Sequence, residues 1–439
     1  MIPVLILTVL SLLTHLIFFG HPASVVFDEV HNGSFVSAYA TGQYYFDVHP
    51  PLAKLLVKFF GDILGVSYNA DFAMIGNTLP WEIIILRILP VLAGIILPLI
   101  IYFICRHINM SKLASFSAAI LICLENSLIV QSRFIMFDSI MILFGFSALL
   151  LYLIYIKNER RKSLHVFSAI LAAAAFSIKW TGFAFPLLIV IMEIIRTRKF
   201  LSIARFISVY ALIGLIFYTS IFAVHFSYLK NTGKGDVFMS DRFQKTLIGN
   251  PHSSNPSIQP KGFFGKFIEL NIVMYESHKT LTAGHTYGSK WHTWPLMLRP
   301  IFYWQTMPEA GSYIYLLGNP FLYWFGTLSI LFLIFYLIFR RQSQQAGLFI
   351  TIGFLVSFIP FIFIGRIMFL YHYQAALIFS IMAIAFVVDR ITSHRIRAVT
   401  FVGVVAMSLM LFIYFSPLTY GLPLDDSQLT DRMWLSSWR

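Results

Sequence analysis

Charge is what this sequence has least of. Only 12% of its 439 residues are Asp, Glu, Lys or Arg, far below the roughly 25% of a water-facing domain, so a soluble enzyme is excluded. Cysteine is nearly absent as well. Cys105 and Cys123 both lie inside apolar runs, which excludes a disulfide scaffold and reads as two small buried hydrophobes. Internal repeats and low-complexity linkers are also missing. What fills the chain is apolar: 58% hydrophobic and 17% aromatic residues, a composition incompatible with disorder. The 32 basic residues outnumber the 19 acidic ones, but in a chain of this kind Lys and Arg mark cytoplasmic loops. The lipid bilayer is therefore the expected partner, and nucleic acid is not.

A spanning helix needs roughly 20 mostly apolar residues, and about eleven such segments are present. They cover 2–19, 82–105, 112–127, 134–156, 164–178 and 181–195, then 203–226, 313–339, 346–364, 368–388 and 398–415. The first lacks a charged leader and is too long for a signal peptide, so it reads as a retained helix. Alternate loops hold Arg106 and Lys112, then Lys157, Arg160, Arg161 and Lys162, then Arg196, Arg198, Lys199 and Arg205. Arg340 and Arg341 follow, and then Arg390, Arg395 and Arg397. The positive-inside rule makes all these loops cytoplasmic, with the N-terminus inside and the C-terminus outside. The expected architecture is an all-α polytopic membrane protein. Residues 1–416 form a single transmembrane domain with long outer loops at 21–81 and 227–312, and 417–439 form an outer tail.

Both long outer loops are rich in aromatics, and connections of this length are functional rather than merely connective. After Pro50-Pro51, residues Leu52, Leu55, Leu56, Phe59, Phe60 and Ile63 share one helical stripe, with Lys54, Lys58 and Asp62 on the other face. This predicts an amphipathic helix in the interface plane. Phe263, Phe267, Leu270 and Met274 predict a second one.

Charges beside the apolar phase are costly and point to function. On the outer side they gather in a few places. Asp28 and Glu29 follow the first helix, and Asp47 and His49 open the interfacial one. Arg133 and Asp138 lie where the third and fourth segments meet, Lys179 and Trp180 join the fifth and sixth, and Arg366 joins the ninth and tenth. Any one of these reads equally as a snorkelling anchor. Three cations beside carboxylates at one depth read as a cradle for a lipid phosphate, Arg by its fork and Lys as a point charge. A sugar on a lipid phosphate carries its own leaving group. Fixed cations for the departing phosphate and one carboxylate to deprotonate an acceptor hydroxyl then suffice for an inverting displacement. Asp28 and Glu29 are neighbours and need not face each other, unlike a glycosidase pair. The histidines form no compact ligand signature, so no metal and no cofactor are expected. Asn32-Gly33-Ser34 matches a glycosylation sequon too common to carry weight.

At these residues the sequence resembles the protein O-mannosyltransferases, enzymes of the GT-C glycosyltransferase class. The matching stretches are Phe27-Asp28-Glu29-Val30-His31, Phe46-Asp47-Val48-His49-Pro50-Pro51 and Ser132-Arg133-Phe134-Ile135-Met136-Phe137-Asp138. Lys179-Trp180-Thr181-Gly182, Trp294-Pro295-Leu296-Met297-Leu298-Arg299-Pro300, Leu317-Gly318-Asn319-Pro320 and Gly365-Arg366 with Tyr371-His372-Tyr373 complete the set. The resemblance implies the GT-C fold, catalysis by Asp28 as base with Glu29 supporting, and Arg133 and Lys179 near the donor phosphate. Arg366 joins them by position, and Asp47, His49, Asp138, Trp180, Arg299, Tyr371 and His372 are further candidates. The implied donor is polyprenyl- or dolichyl-phosphate-mannose and the implied acceptors are Ser/Thr hydroxyls of secreted or membrane proteins. Residues 227–312 are too few for the β-trefoil domain of eukaryotic members, which favours a prokaryotic plasma-membrane enzyme. Gln374 stands where that family's proline is expected. A transferase of the same class with another sugar or a lipid acceptor is the alternative. A secondary transporter would show repeats and midplane charges.

Overall fold

The computed structural model describes residues 2–158, 161–280, 284–306, 311–339 and 345–439, leaving Arg160, Arg340 and Arg341 outside the described residues. Its helices in the first half are α1 (Ile2–Leu16), α2 (Glu29–Thr41), α3 (Leu52–Ile63), α4 (Trp81–His107), α5 (Lys112–Cys123) and α6 (Asn126–Ser132). Next come α7 (Asp138–Lys157), α8 (Lys162–Phe176), α9 (Trp180–Thr197), α10 (Phe200–Tyr228) and α11 (Phe263–Thr280). A hairpin of β1 (Ile301–Gln305) and β2 (Tyr313–Leu316) precedes α12 (Pro320–Phe339), α13 (Gln345–Phe363), α14 (Leu370–Asp389), α15 (His394–Tyr420) and α16 (Asp426–Arg432).

Each apolar segment of the sequence falls on one of these helices, but spanning length is less common than the eleven segments imply. Among the described residues eight helices are long and apolar enough to cross a membrane, or nine if α5 and α6, bent by 58°, count as one span. The other two, α1 and α8, have 15 residues each. The bend follows from Glu125, whose buried carboxylate caps α6 by accepting from the Ser127 N–H and hydroxyl and from the Asn319 N–H. The Gln374 amide, at the position lacking the expected proline, donates to the Ser127 carbonyl and ties α14 to the same break.

Two expectations are corrected. Residues 313–316 are strand, not helix, because Tyr313-Ile314-Tyr315-Leu316 pairs antiparallel with Ile301–Gln305. Aromatic and β-branched side chains suit that pleat, and the helix starts only at Pro320. The C-terminal boundary moves too, since α15 continues to Tyr420 past its internal Pro417. The helix expected after Pro50-Pro51 is α3. Its lysine face turns inward, with Lys54 and Lys58 buried, while Phe59 and Ile63 are 62% and 66% exposed. Ion pairs of Lys54 with Asp47 and of Lys58 with Asp62 make that burial tolerable.

α14 is the buried centre, with 83% of its apolar window covered, and it packs against α12 and α13. α10 lies at the periphery, 11% covered, and presents Leu212, Leu215 and Ile216 outward. α7 packs on α4 and α8, and its 20 residues span about 30 Å. Asp138 is at one end of that helix. At the other, Lys157 meets His107, Arg196 and Arg198 around one cavity, so three of the basic loops converge there. Gly94 permits α1, α4 and α6 to meet, since a Cβ there would lie 2.5 Å from the His15 ring and 2.7 Å from the Ser132 hydroxyl. Cys105 and Cys123 are both buried and unpaired.

Candidate active site

The Asp28–Glu29 pair stands at the start of α2, and the two carboxylates have different surroundings. Glu29 is fully buried against an equally buried Arg87. The guanidinium donates from Nε at 2.8 Å and Nη2 at 2.7 Å, and the Ile135 and Val26 N–H groups donate to the same carboxylate. Every lone pair of Glu29 is thus held by the protein. The two other Arg87 bonds reach the Pro22 and Ser24 carbonyls, so this pair fixes the loop that carries Asp28. Arg87 was not singled out in the sequence, although a lone arginine early in an apolar run is the signal that could have found it.

Asp28 itself is half-buried, and its carboxylate accepts no hydrogen bond among the described residues. Burial pushes its carboxyl up to about 6, against the pull of Lys179 and His31, with the negative charges of Asp138 and Asp47 adding to the rise. A carboxylate near neutral pKa, free of partners and facing an ammonium group is suited to accept a proton. Asn32, one turn on, donates its amide to the Ile135 carbonyl, which engages the nitrogen a sequon would offer.

Lys179 lies in extended backbone between α8 and α9, which aims its ammonium back at α7. It is 2.7 and 2.8 Å from the two Asp138 oxygens and 4.9 Å from the Tyr371 ring centre. Asp138 also accepts from the Gln131 amide at 2.8 Å, and Gln131 in turn accepts from the Tyr303 hydroxyl at 2.5 Å. Gln131 and Tyr303 escaped the sequence reading, because an uncharged polar residue in an apolar helix and a tyrosine in an aromatic strand carry no local signal. Phe27 stacks on Tyr303 at 4.4 Å, so β1 supports the Asp28 loop from behind.

Beside this cluster a cavity of about 470 Å³ is lined by His49, Lys179, Trp180, His278, Arg366 and His372, among others. Arg366 makes no hydrogen bond or ion pair among the described residues, and its buried Nε has no partner. Burial lowers its pKa from the usual arginine value. Burial and the nearby cations Lys179 and Arg366 hold His49 well below the ordinary histidine range, and His278 is lowered to about 4, chiefly by burial. Both rings are therefore neutral at pH 7. His278 reaches the Val48 carbonyl at 2.9 Å, and Trp180, 5.3 Å from its ring, donates to the Tyr218 hydroxyl. Among the described residues no three His, Cys, Asp or Glu side chains converge as a metal ion requires.

The remaining candidates are distributed otherwise. Asp47 is paired with Lys54, whose pKa burial lowers, at the edge of the cluster. Tyr371 and His372 stack on one another at 4.5 Å, and His372 lies parallel to Trp294. Arg133 is not brought to the cavity. Its guanidinium donates to the His15, Ile17 and Phe18 carbonyls at the end of α1 and lies over Tyr420. Arg299 is also elsewhere. It clamps the tail through the Ser437 and Arg439 carbonyls, next to the buried Trp438.

Two family models cover most of the chain. "Dolichyl-phosphate-mannose-protein mannosyltransferase" matches residues 5–230, and "C-terminal four TMM region of protein-O-mannosyltransferase" matches residues 263–438. A relative from Candida albicans, dolichyl-phosphate-mannose–protein mannosyltransferase 4, is 31% identical over 56% of this chain and 36% of its own length. Dolichyl-phosphate-mannose–protein mannosyltransferase 1 of Saccharomyces cerevisiae is 22% identical over 95% of this chain and 80% of its own. Over its strongest matches the chain spans about a third of the relative's length. Among solved structures, the S. cerevisiae Pmt1-Pmt2 complex bound to the sugar donor superposes with a TM-score of 0.90 at 20% identity, covering 100% of this chain and 92% of that one. ArnT from Cupriavidus metallidurans, bound to undecaprenyl phosphate, superposes at 0.59 with 13% identity, over 95% and 76%. These likenesses establish the GT-C fold, and with the family models they show that the chain belongs to the protein O-mannosyltransferase family.

Proposed function

We propose that this chain transfers mannose from a polyprenyl- or dolichyl-phosphate donor to Ser/Thr hydroxyls of proteins, with inversion at the anomeric carbon. The observation that carries this reading is the Asp28 carboxylate within electrostatic reach of Lys179, which itself lines a cavity that also receives Arg366. The names of the relatives, dolichyl-phosphate-mannose–protein mannosyltransferases, support the donor and the protein acceptor.

In the reaction the acceptor oxygen attacks the anomeric carbon while its proton passes to Asp28. The bond from that carbon to the phosphate oxygen breaks, and the electron pair leaves with the lipid phosphate. Lys179 and Arg366 stabilise the charge developing there, which is the larger contribution expected of fixed cations in a dry site. Asp138 holds the Lys179 ammonium in place, and Glu29 with Arg87 holds the Asp28 loop. Arg133 acts at one remove, by fixing the end of α1. The step balances without a cofactor. The Asp138 end of α7 faces away from the basic loops, so the positive-inside rule supports a site on the outer face. The length of 227–312 supports a prokaryotic plasma membrane.

Purified full chain given polyprenyl-phosphate-mannose and a Ser/Thr peptide should yield peptide heavier by one hexose, with the α or β linkage opposite to the donor's. Retention of configuration, or transfer only to a lipid acceptor, would replace this reading with that of a sister transferase.

A further inference from the structure

The opposite end of the bundle carries a second cavity, of about 430 Å³, that the transfer reaction does not use. It opens between the ends of α4, α7 and α9 and the start of α13. Its depth is apolar, walled by Leu153, Ile156, Met192, Ile195 and Leu348, and its mouth is cationic, with Lys157, Arg196 and Arg198.

Two of the three cations at that mouth meet no carboxylate among the described residues. Glu193 is the carboxylate beside it, and Arg196 engages that group at 2.9 and 2.8 Å, helped by the Tyr152 and Thr197 hydroxyls. Among the described residues Lys157 has only the Asn109 amide oxygen at 3.4 Å, and Arg198 meets no carboxylate. Among the described residues neither Lys157 nor Arg198 meets a carboxylate, and both stand over an apolar cleft. Basic loops follow from topology alone. An apolar cleft between the helices beneath them does not.

We infer that this cavity binds an anionic glycerophospholipid, with the headgroup phosphate at Lys157 and Arg198 and the proximal acyl chain against Leu153, Ile156 and Leu348. The combination matches its ligand part by part. Arg offers a fork for phosphate oxygens and Lys a point charge. Basic pockets between spanning helices on the cytoplasmic side suit anionic headgroups, and the volume is in the range of small-molecule sites.

The test uses delipidated full chain and native mass spectrometry with added phosphatidylglycerol or phosphatidylcholine. Wild type should retain one phosphatidylglycerol. Retention should fall about ten- to a hundredfold in the double variant Lys157→Ala, Arg198→Ala, the change expected on losing a charged contact. It should fall similarly in Leu348→Trp, which fills the cleft and leaves the charge unchanged. Equal retention of the two lipids by wild type would overturn the inference. So would loss in the charge variant with full retention in Leu348→Trp, which would signify surface attraction alone. A stronger, equally variant-sensitive retention of polyprenyl phosphate would reassign the cleft to the lipid carrier and overturn it too. The exposed positions of Lys157 and Arg198 keep the first variant folded.

Discussion

The Lys179 ammonium sits between the two oxygens of Asp138, 2.7 and 2.8 Å away, and both residues are largely buried. That pair joins helix α7 to the junction of α8 and α9, and it fixes a positive charge within electrostatic reach of Asp28. Removing one partner of a buried pair costs about 3–5 kcal/mol, because the other is left charged and unpaired. Asp138→Ala is expected to lower stability on that scale and to raise the donor KM. Asp138→Asn, which keeps the Gln131 contact, should cost less. Thermal melts of both variants beside donor titrations check this, and equal stability of Asp138→Ala and wild type would remove the pair from its positioning role.

Asp28→Asn should lower kcat by about a hundred- to ten-thousandfold, the usual worth of a general base, with the fold intact. Radiolabelled mannosyl transfer together with a melting curve measures both. Retained turnover would mean that another group accepts the proton.

The raised pKa of Asp28 makes a second, independent signature. With a folded value of about 6 against an ordinary 3.8, turnover that needs the ionised carboxylate should fall as pH drops through about 6. Stability runs the other way. A carboxyl whose pKa is raised by folding stabilises fully below its unfolded value, and that contribution is lost as pH rises through the folded one. Asp28→Asn should therefore melt higher than wild type at pH 8, by on the order of 1–2 kcal/mol, and equally at pH 3. A pH-independent difference would show that the effect is steric.

Arg366 and Arg133 should separate cleanly. Arg366 has no bond to lose among the described residues, so Arg366→Ala should keep its melting temperature while the donor KM rises about ten- to a hundredfold. Arg133 holds three carbonyls at the end of α1, so Arg133→Ala should destabilise the chain. A donor-specific defect in stable Arg133→Ala protein would return that residue to the phosphate.

Glu29→Ala should be as damaging as Asp138→Ala, about 3–5 kcal/mol for uncovering Arg87. Glu29→Gln retains acceptor oxygen for part of the Arg87 fork, and its folded fraction should still turn over. Solubility and melting in detergent, set beside activity per folded molecule, distinguish bracing from catalysis.

Much of this molecule was legible in its sequence. Composition alone placed it in the membrane, because no water-facing surface can be built from so few charges. The helical segments followed from run length, and Asp28, Lys179 and Arg366 stood out because each is a charge where a charge is costly. Those are local properties, visible in a window of a few residues. Partner choice is not local. Glu29 meets Arg87 from 58 residues away, and Lys179 meets Asp138 from 41. Arg133 and Arg366 look alike in sequence, yet the fold gives one a ring of carbonyls and the other an open cavity. The lysine face of α3 is buried with its charges paired, Lys54 by Asp47 from the preceding loop and Lys58 by Asp62 one turn on. Which charge is buried in a pair and which is left to meet a ligand depends on distances between remote segments, and only tertiary packing sets those.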